Sequence, residues 1–228
     1  MNKSVDKKNV FYDSKKIKLE IFQLLIVLIM IGAALYVYPL LPERVPIHWN
    51  ALGEPDNYGS RIFAVFLLPF IYIIFYIATI FLPMMDPYRD NILELYISYW
   101  GTRLVLGIFF LVIYISTLLK NFYDFDIVKV ILVAMMLLFI VLGYFIRHTK
   151  RNFFLGIRTP WTLVDDEIWQ KTHEKGGKWM MTLCIILIIM MIFINVTIMF
   201  FVIIIAIMLL MIGLIIYSYF LHRKKYKH

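Results

Sequence analysis

Residues able to do chemistry are few in this chain, and they fall in four places. His48 stands near Glu54 and Asp56 in "PIHWNALGEPDN". His173 follows Asp165, Asp166 and Glu167 in "TLVDDEIWQKTHEK", with His148 further upstream. Arg103 lies in "YWGTRLVLG", preceded by Asp86, Asp90 and Glu94 at four-residue intervals. Cys184 stands alone in an apolar run. A histidine beside carboxylates is the raw material of a metal or hydrolytic site, but such a site needs several converging ligands, or a nucleophile held by a base. The chain has no H-E-x-x-H spacing, no serine-centred nucleophile motif and no phosphate-binding loop. One cysteine makes neither a disulfide framework nor a Cys-based metal site, and reads as a small buried hydrophobe. Whether the histidines meet depends on the elements that carry them.

Those elements are membrane helices. The 228 residues are 62% hydrophobic and 17% charged, with a mean hydropathy of +0.82; globular chains sit nearer 45–50% and 25%. A bilayer core asks for roughly 20 apolar residues per helix. Ile21–Tyr38, Ile62–Leu82, a run ending at Leu119, and Ile127–Ile146 each fit. The last run, Trp179–Leu221, would measure about 64 Å as one helix, twice what a membrane covers. It must fold back, near Ile194–Thr197, which gives six spans. The first run is longer than a signal-peptide core and no A-x-A site follows it, so it reads as a retained helix. The expected fold is all-α: a six-span membrane domain over residues 21–221, between a basic N-tail (1–20) and a basic C-tail (222–228).

Orientation follows from lysine and arginine in the short loops. Lys3, Lys7, Lys8, Lys15, Lys16 and Lys18 in the N-tail, Arg89, the loop 147–178 and the C-tail Arg223, Lys224, Lys225 and Lys227 all fall on one side. The other side has Arg44, Arg61 and Lys120, with Lys129 close by. Both termini are therefore expected to be cytoplasmic. The net charge of +8 reflects that topology, with basic flanks held against anionic lipid and no direct nucleic-acid binding. His48 and His173 are separated by three spans. They lie on opposite faces of the membrane and share no metal.

Two loops carry the remaining information. The outer one, 39–61, is braced by Pro39, Pro42, Pro46 and Pro55 into an extended segment, with turn chemistry in "NALGEPDNYG". It is suited either to contact from outside or to packing across the bundle's mouth. The inner loop, 147–178, holds Phe153, Phe154 and Trp161 for the membrane surface, and Gly156 as a bend. Pro160 keeps Thr159 extended. Thr162 with Asp165 resembles a capping box, so a short helix is expected over Leu163–Lys175, stopped by Gly176–Gly177. It would lie in the cytoplasmic interface between spans 4 and 5. Arg103 is expected within reach of Asp86, Asp90 or Glu94, or else snorkelling to headgroups.

Together, "LPERVPIHWNALGEPDNYGSR" and "RNFFLGIRTPWTLVDDEIWQKTHEKGGK" resemble the paired signatures of the SdpI-type immunity-protein family. The resemblance covers about fifty residues by motif, with order, spacing and the six-span pattern agreeing over the rest. It implies a non-enzymatic membrane protein, without cofactor or metal, that protects its producer from a secreted toxin peptide. It also implies a cytosolic transcriptional repressor held at the membrane once toxin is sensed. On that resemblance Pro46, His48, Asn50, Gly53, Pro55 and Asp56 face the toxin. Asn152, Gly156, Arg158, Thr159, Pro160, Trp161 and Trp169, with His173 beside them, face the cytosolic partner. Two alternatives stand beside it: an interfacial enzyme acting on lipid or peptide through His173, and a small toxin exporter using Arg103.

Overall fold

A computed structural model describes residues 14–88, 90–91 and 96–226. Lys3, Lys7, Lys8, Arg89, Glu94 and Lys227 of the charge pattern lie outside the described residues. Helix α1 (Ser14–Val37) leads through a 3-10 turn, Tyr38–Leu40, into a β-hairpin of β1 (Arg44–Trp49) and β2 (Pro55–Ser60). Then come α2 (Arg61–Met85), α3 (Tyr96–Leu119), α4 (Ile127–Ile146), the short α5 (Pro160–Val164), α6 (Asp166–Met190) and α7 (Val196–Lys225). Among the described residues, five helical segments are long and apolar enough to cross a membrane: Ile17–Leu40, Arg61–Met85, Ser98–Leu119, Ile127–Ile146 and Val196–Lys225. In α6 only the part from Trp179 onward is apolar. The expected turn-back is present, and Asn195 caps α7 by accepting from the Thr197 N–H at 2.8 Å.

Two expectations change. The proline-braced outer loop is an antiparallel hairpin, pairing Arg44 with Ser60, Val45 with Gly59 and Pro46 with Tyr58 before the register shifts at His48. Prolines disfavour a ladder in a central strand but are tolerated in a two-stranded ribbon, where each strand is an edge. The inner helix Leu163–Lys175 is not a separate unit. Thr159 caps α5, Asp165 caps α6, and α6 continues through Gly176–Gly177 to Met190. These glycines allow close approach and do not end the helix: a Cβ on Gly177 would lie 2.3 Å from the Gly143 carbonyl oxygen of α4. Small residues at such a crossing let two backbones touch, as membrane helix pairs commonly do.

The buried apolar residues form two main clusters. Met30, Ala34, Val65, Tyr72 and Tyr114 join α1, α2 and α3, and Leu41 before the hairpin and Val45 within it bring the hairpin into the same cluster. Ile127, Met136, Cys184, Leu187, Met199 and Ile203 join α4, α6 and α7. Cys184 is fully buried there. Helices α6 and α7 run antiparallel along their whole length, with Trp179 packed on Tyr217 (5.7 Å) and Asp165 meeting Lys225 (2.8 Å).

Candidate functional site

The hairpin sits on one end of the bundle, where Ser60 caps α2 by accepting from Phe63 N–H. Asn50 builds its turn. Its Oδ1 accepts from the N–H groups of Leu52 (2.9 Å) and Glu54 (3.1 Å), and its Nδ2 donates to Glu54 Oε2. Gly53 takes φ +82 at the tip. His48 Nδ1 lies 2.6 Å from Asp56 Oδ1, an exposed pair across the two strands. Val45 is fully buried against the helices, whereas Pro55 and Asp56 are exposed. All six expected outer residues thus belong to one small ribbon. Within it Asn50 and Gly53 shape the turn, and His48, Pro55 and Asp56 present surface.

The other end carries an elbow between α4 and α6, and Asn152 is its pivot. The Asn152 Oδ1 accepts from the N–H groups of Phe154 (2.9 Å) and Leu155 (2.6 Å), while Nδ2 donates to the carbonyls of Lys150 and Leu155. Every valence of a buried amide is therefore met. Thr159 and Thr162 exchange hydrogen bonds as the caps of α5, and Thr159 Oγ1 lies 3.0 Å from Ser218 Oγ on α7. Pro160 occupies the first turn, where its missing N–H costs nothing. Trp161 packs edge-on to Tyr219. Arg158 is exposed and donates to the Phe153 carbonyl.

Trp169 and His173 fill the inside of the elbow, with rings stacked at 4.0 Å and almost no exposure. The Trp169 indole N–H donates to the Thr149 carbonyl (2.9 Å). His173 Nδ1 donates to the Trp169 carbonyl (2.7 Å), and Nε2 accepts from the Ile157 N–H (2.6 Å). An N–H donor on Nε2 and a carbonyl on Nδ1 fix the neutral tautomer. Both nitrogens are engaged in holding the elbow, so His173 offers no free base there. Of the expected inner residues, Asn152, Thr159, Trp169 and His173 are buried together, while Arg158 and Pro160 lie on the surface.

His173 lies before Trp179, where the apolar run begins. Burial pushes its pKa down, to about 4, against a partial opposing pull from the Trp169 carbonyl. The unfolded histidine titrates near 6.5. Between those values the unfolded chain binds a proton and the folded one does not, so stability falls as pH drops. We expect on the order of 3 kcal/mol to be lost between about pH 6.5 and 4, with no further loss from this group below. Thermal melting of the detergent-solubilised protein across that range should show the slope, and His173→Gln should flatten it. An equal slope in both proteins would assign the effect elsewhere.

Burial alone would raise the Asp165 carboxyl. Hydrogen bonds from Lys225 Nζ, the Tyr226 hydroxyl and the Ile168 N–H outweigh it and hold Asp165 well below the usual carboxylate range. The α6 cap therefore also clasps the end of α7.

Arg103 does not snorkel, and Asp86 is not its partner. It is 2% exposed and makes a fork with Glu20 of α1, Nη1 to Oε1 at 2.7 Å and Nη2 to Oε2 at 3.4 Å. Its Nε donates to Thr79 Oγ1 (3.0 Å), Tyr76 donates to Glu20 Oε2 (2.8 Å), and Trp100 lies against the guanidinium at 4.4 Å. Asp86 turns instead to the elbow, accepting from Phe153 N–H (2.7 Å), and Asn91 Nδ2 donates to the Arg151 carbonyl (2.7 Å). Glu20 was the missed partner. Its only sequence signal is a lone acid entering the first apolar run.

Residues 148–218 match the SdpI/YfhL protein family, and residues 25–73 match a domain of unknown function, DUF1648. The first match covers the elbow, α6 and most of α7; the second covers the hairpin and the adjoining halves of α1 and α2. The chain is 26% identical over 172 residues to the Immunity protein SdpI of Bacillus subtilis (strain 168), covering 75% of this chain and 80% of that protein. No solved structure shows significant similarity. The resemblance to the SdpI-type family is thereby borne out.

Proposed function

We propose, from that similarity to an immunity protein over most of the chain, that this is a membrane immunity protein protecting its producer against a secreted toxin peptide. The observation that carries the reading is the placement of the two motif segments. The hairpin caps the N-terminus of α2, and the elbow bonds to Asp86 at its C-terminus, ~37 Å away. One motif is thus available to each side of a membrane. The apolar run from Trp179, packed on α7, supports a sixth crossing, so the domain 21–221 is read as six spans. Both termini, with the 1–20 and 222–228 tails, then lie in the cytoplasm, as the basic loops favour.

In this reading the hairpin, with Pro46, His48, Asn50, Gly53, Pro55 and Asp56, meets the toxin. The elbow meets a cytosolic repressor through its exposed residues, Arg158 and Pro160, with Trp161 beside them. Asn152, Gly156, Thr159, Trp169 and His173 set the shape that presents them. Replacing Arg44–Ser60 by a Gly/Ser linker should abolish protection of toxin-sensitive cells while membrane insertion stays normal. In the same strain, Arg158→Ala should spare protection and release the repressor to the cytosol. Unchanged protection after the hairpin swap would refute the outer assignment.

A further inference from the structure

Beneath the hairpin a cleft of about 50 Å3 opens between the ends of α2 and α3. Its roof is Pro46, Ile47 and Trp49, its walls include Ala64 and Leu68, and Asn121 closes one side. Two features distinguish it from a packing gap. The Trp49 indole N–H is buried and donates to nothing among the described residues. Asn121 spends its Nδ2 on the carbonyls of Thr117 and Leu118, and its amide oxygen accepts from no described residue. A buried donor without an acceptor carries a desolvation cost, so such groups are nearly always satisfied by a ligand or water.

We propose that this cleft binds an apolar peptide segment, with a small aliphatic side chain in the cavity. A backbone carbonyl of the segment accepts from Trp49 Nε1, and a backbone N–H donates to the Asn121 amide oxygen. The donor and acceptor together decide the class, because a peptide unit complements both whereas a lipid ester offers only acceptors. The size agrees: a cleft of about 50 Å3 has room for a small aliphatic side chain. Strand β1 forms the roof, in a two-stranded ribbon that leaves backbone groups at its edges for an added chain. This inference rests on the reading of the hairpin end as the face that meets a secreted peptide, and it gives that face a pocket.

The test uses the full-length protein in nanodiscs, 15N-labelled, with acetyl-trileucine-amide as the probe. The chain has 5 tryptophans, and Trp49→Phe identifies the Trp49 indole signal by its disappearance. Adding the probe should shift that signal alone. Ala64→Leu, which fills the cleft and leaves the indole in place, should abolish the shift. The same titration is run in nanodiscs of ester-linked and of ether-linked phosphatidylcholine. A Trp49 signal indifferent to the peptide overturns the proposal. If that signal then differs between ester and ether lipid, the cleft is a lipid site; if it does not, the cleft is hydrated.

In cells, Trp49→Phe and Ala64→Leu should each lower the tolerated dose of secreted toxin about tenfold, the scale of one hydrogen bond or its adjoining contact. Wild-type protection with both variants unimpaired overturns the cleft but leaves the immunity reading standing. A wild-type protein that gives no protection overturns the immunity reading, and the indole titration still decides the cleft.

Discussion

Arg103→Ala should remove most of the folded protein from the membrane, and Arg103→Met combined with Glu20→Leu should bring much of it back. Arg103 is 2% exposed and Glu20 26% exposed at the side chain, so each is held in a low-dielectric setting largely by the other. Taking one partner from a buried pair leaves an uncompensated charge, at a cost of about 3–5 kcal/mol. The Glu20 exposure places this case toward the lower figure, about 3 kcal/mol. Replacing both by apolar groups removes the stranded charge along with the attraction, which is often nearly neutral. Arg103→Lys should fall between, because an ammonium keeps the charge but loses the two-pronged fork and the stacking on Trp100. Thermal melting of wild type, Arg103→Met, Glu20→Leu and their combination in mild detergent makes a double-mutant cycle. Strictly additive losses would mean that Arg103 acts through packing alone.

That network also marks the limit of what the sequence displayed. The spans were legible because a bilayer demands long apolar runs, and the turn-back near Asn195 was legible because a single helix from Trp179 to Leu221 is too long to fit. The partner of Arg103 was not legible. Helical spacing pointed to Asp86, Asp90 and Glu94 within its own neighbourhood, whereas Glu20 approaches from a helix more than eighty residues away. Local period carries no information about which helices become neighbours. Gly176–Gly177 misled for a related reason: the same residue that ends helices in water lets them touch in a membrane. The proline-rich outer loop concealed a hairpin, since its pairing depends on burying Val45 and Leu41 against a bundle that no local rule describes.

The elbow motif divided along the same line. "GIRTPWT" announced a bend and an extended residue before proline, and Gly156 and Thr159 take those shapes, but the helix expected to start at Leu163 starts at Pro160. That His173 would be the keystone was not readable, because its acidic neighbours pointed only to a metal or hydrolytic site or to polar anchoring of the helix. In the folded chain those acids point elsewhere: Asp165 clasps Lys225, and Asp166 pairs with Arg151 at 2.9 Å. The histidine is left with backbone partners only. A residue type that can do chemistry is here consumed by geometry. The elbow can then present Arg158 without carrying a charge in its interior.

The strictest demand in that geometry falls on Gly156, and Gly156→Ala should be the most damaging single-methyl change in the chain. The backbone sits at φ +130, a conformation that only glycine adopts without strain. A Cβ there would lie 2.3 Å from His173 Nε2, 3.0 Å from its Cδ2 and 3.1 Å from the far edge of Trp169. Neither ring can retreat: both are fully packed, and His173 Nε2 is tied to the N–H of the very next residue, Ile157. Strain and overpacking together should cost about 3 kcal/mol or more. The two parts separate in a second variant. Gly156→Ala with His173→Ala relieves the clash but leaves the Ile157 N–H unsatisfied and the backbone strained, so recovery should be partial. Melting temperature and membrane level of the two variants measure this. A Gly156→Ala protein as stable as wild type would mean that the elbow reaches its shape without the Gly156–His173 contact.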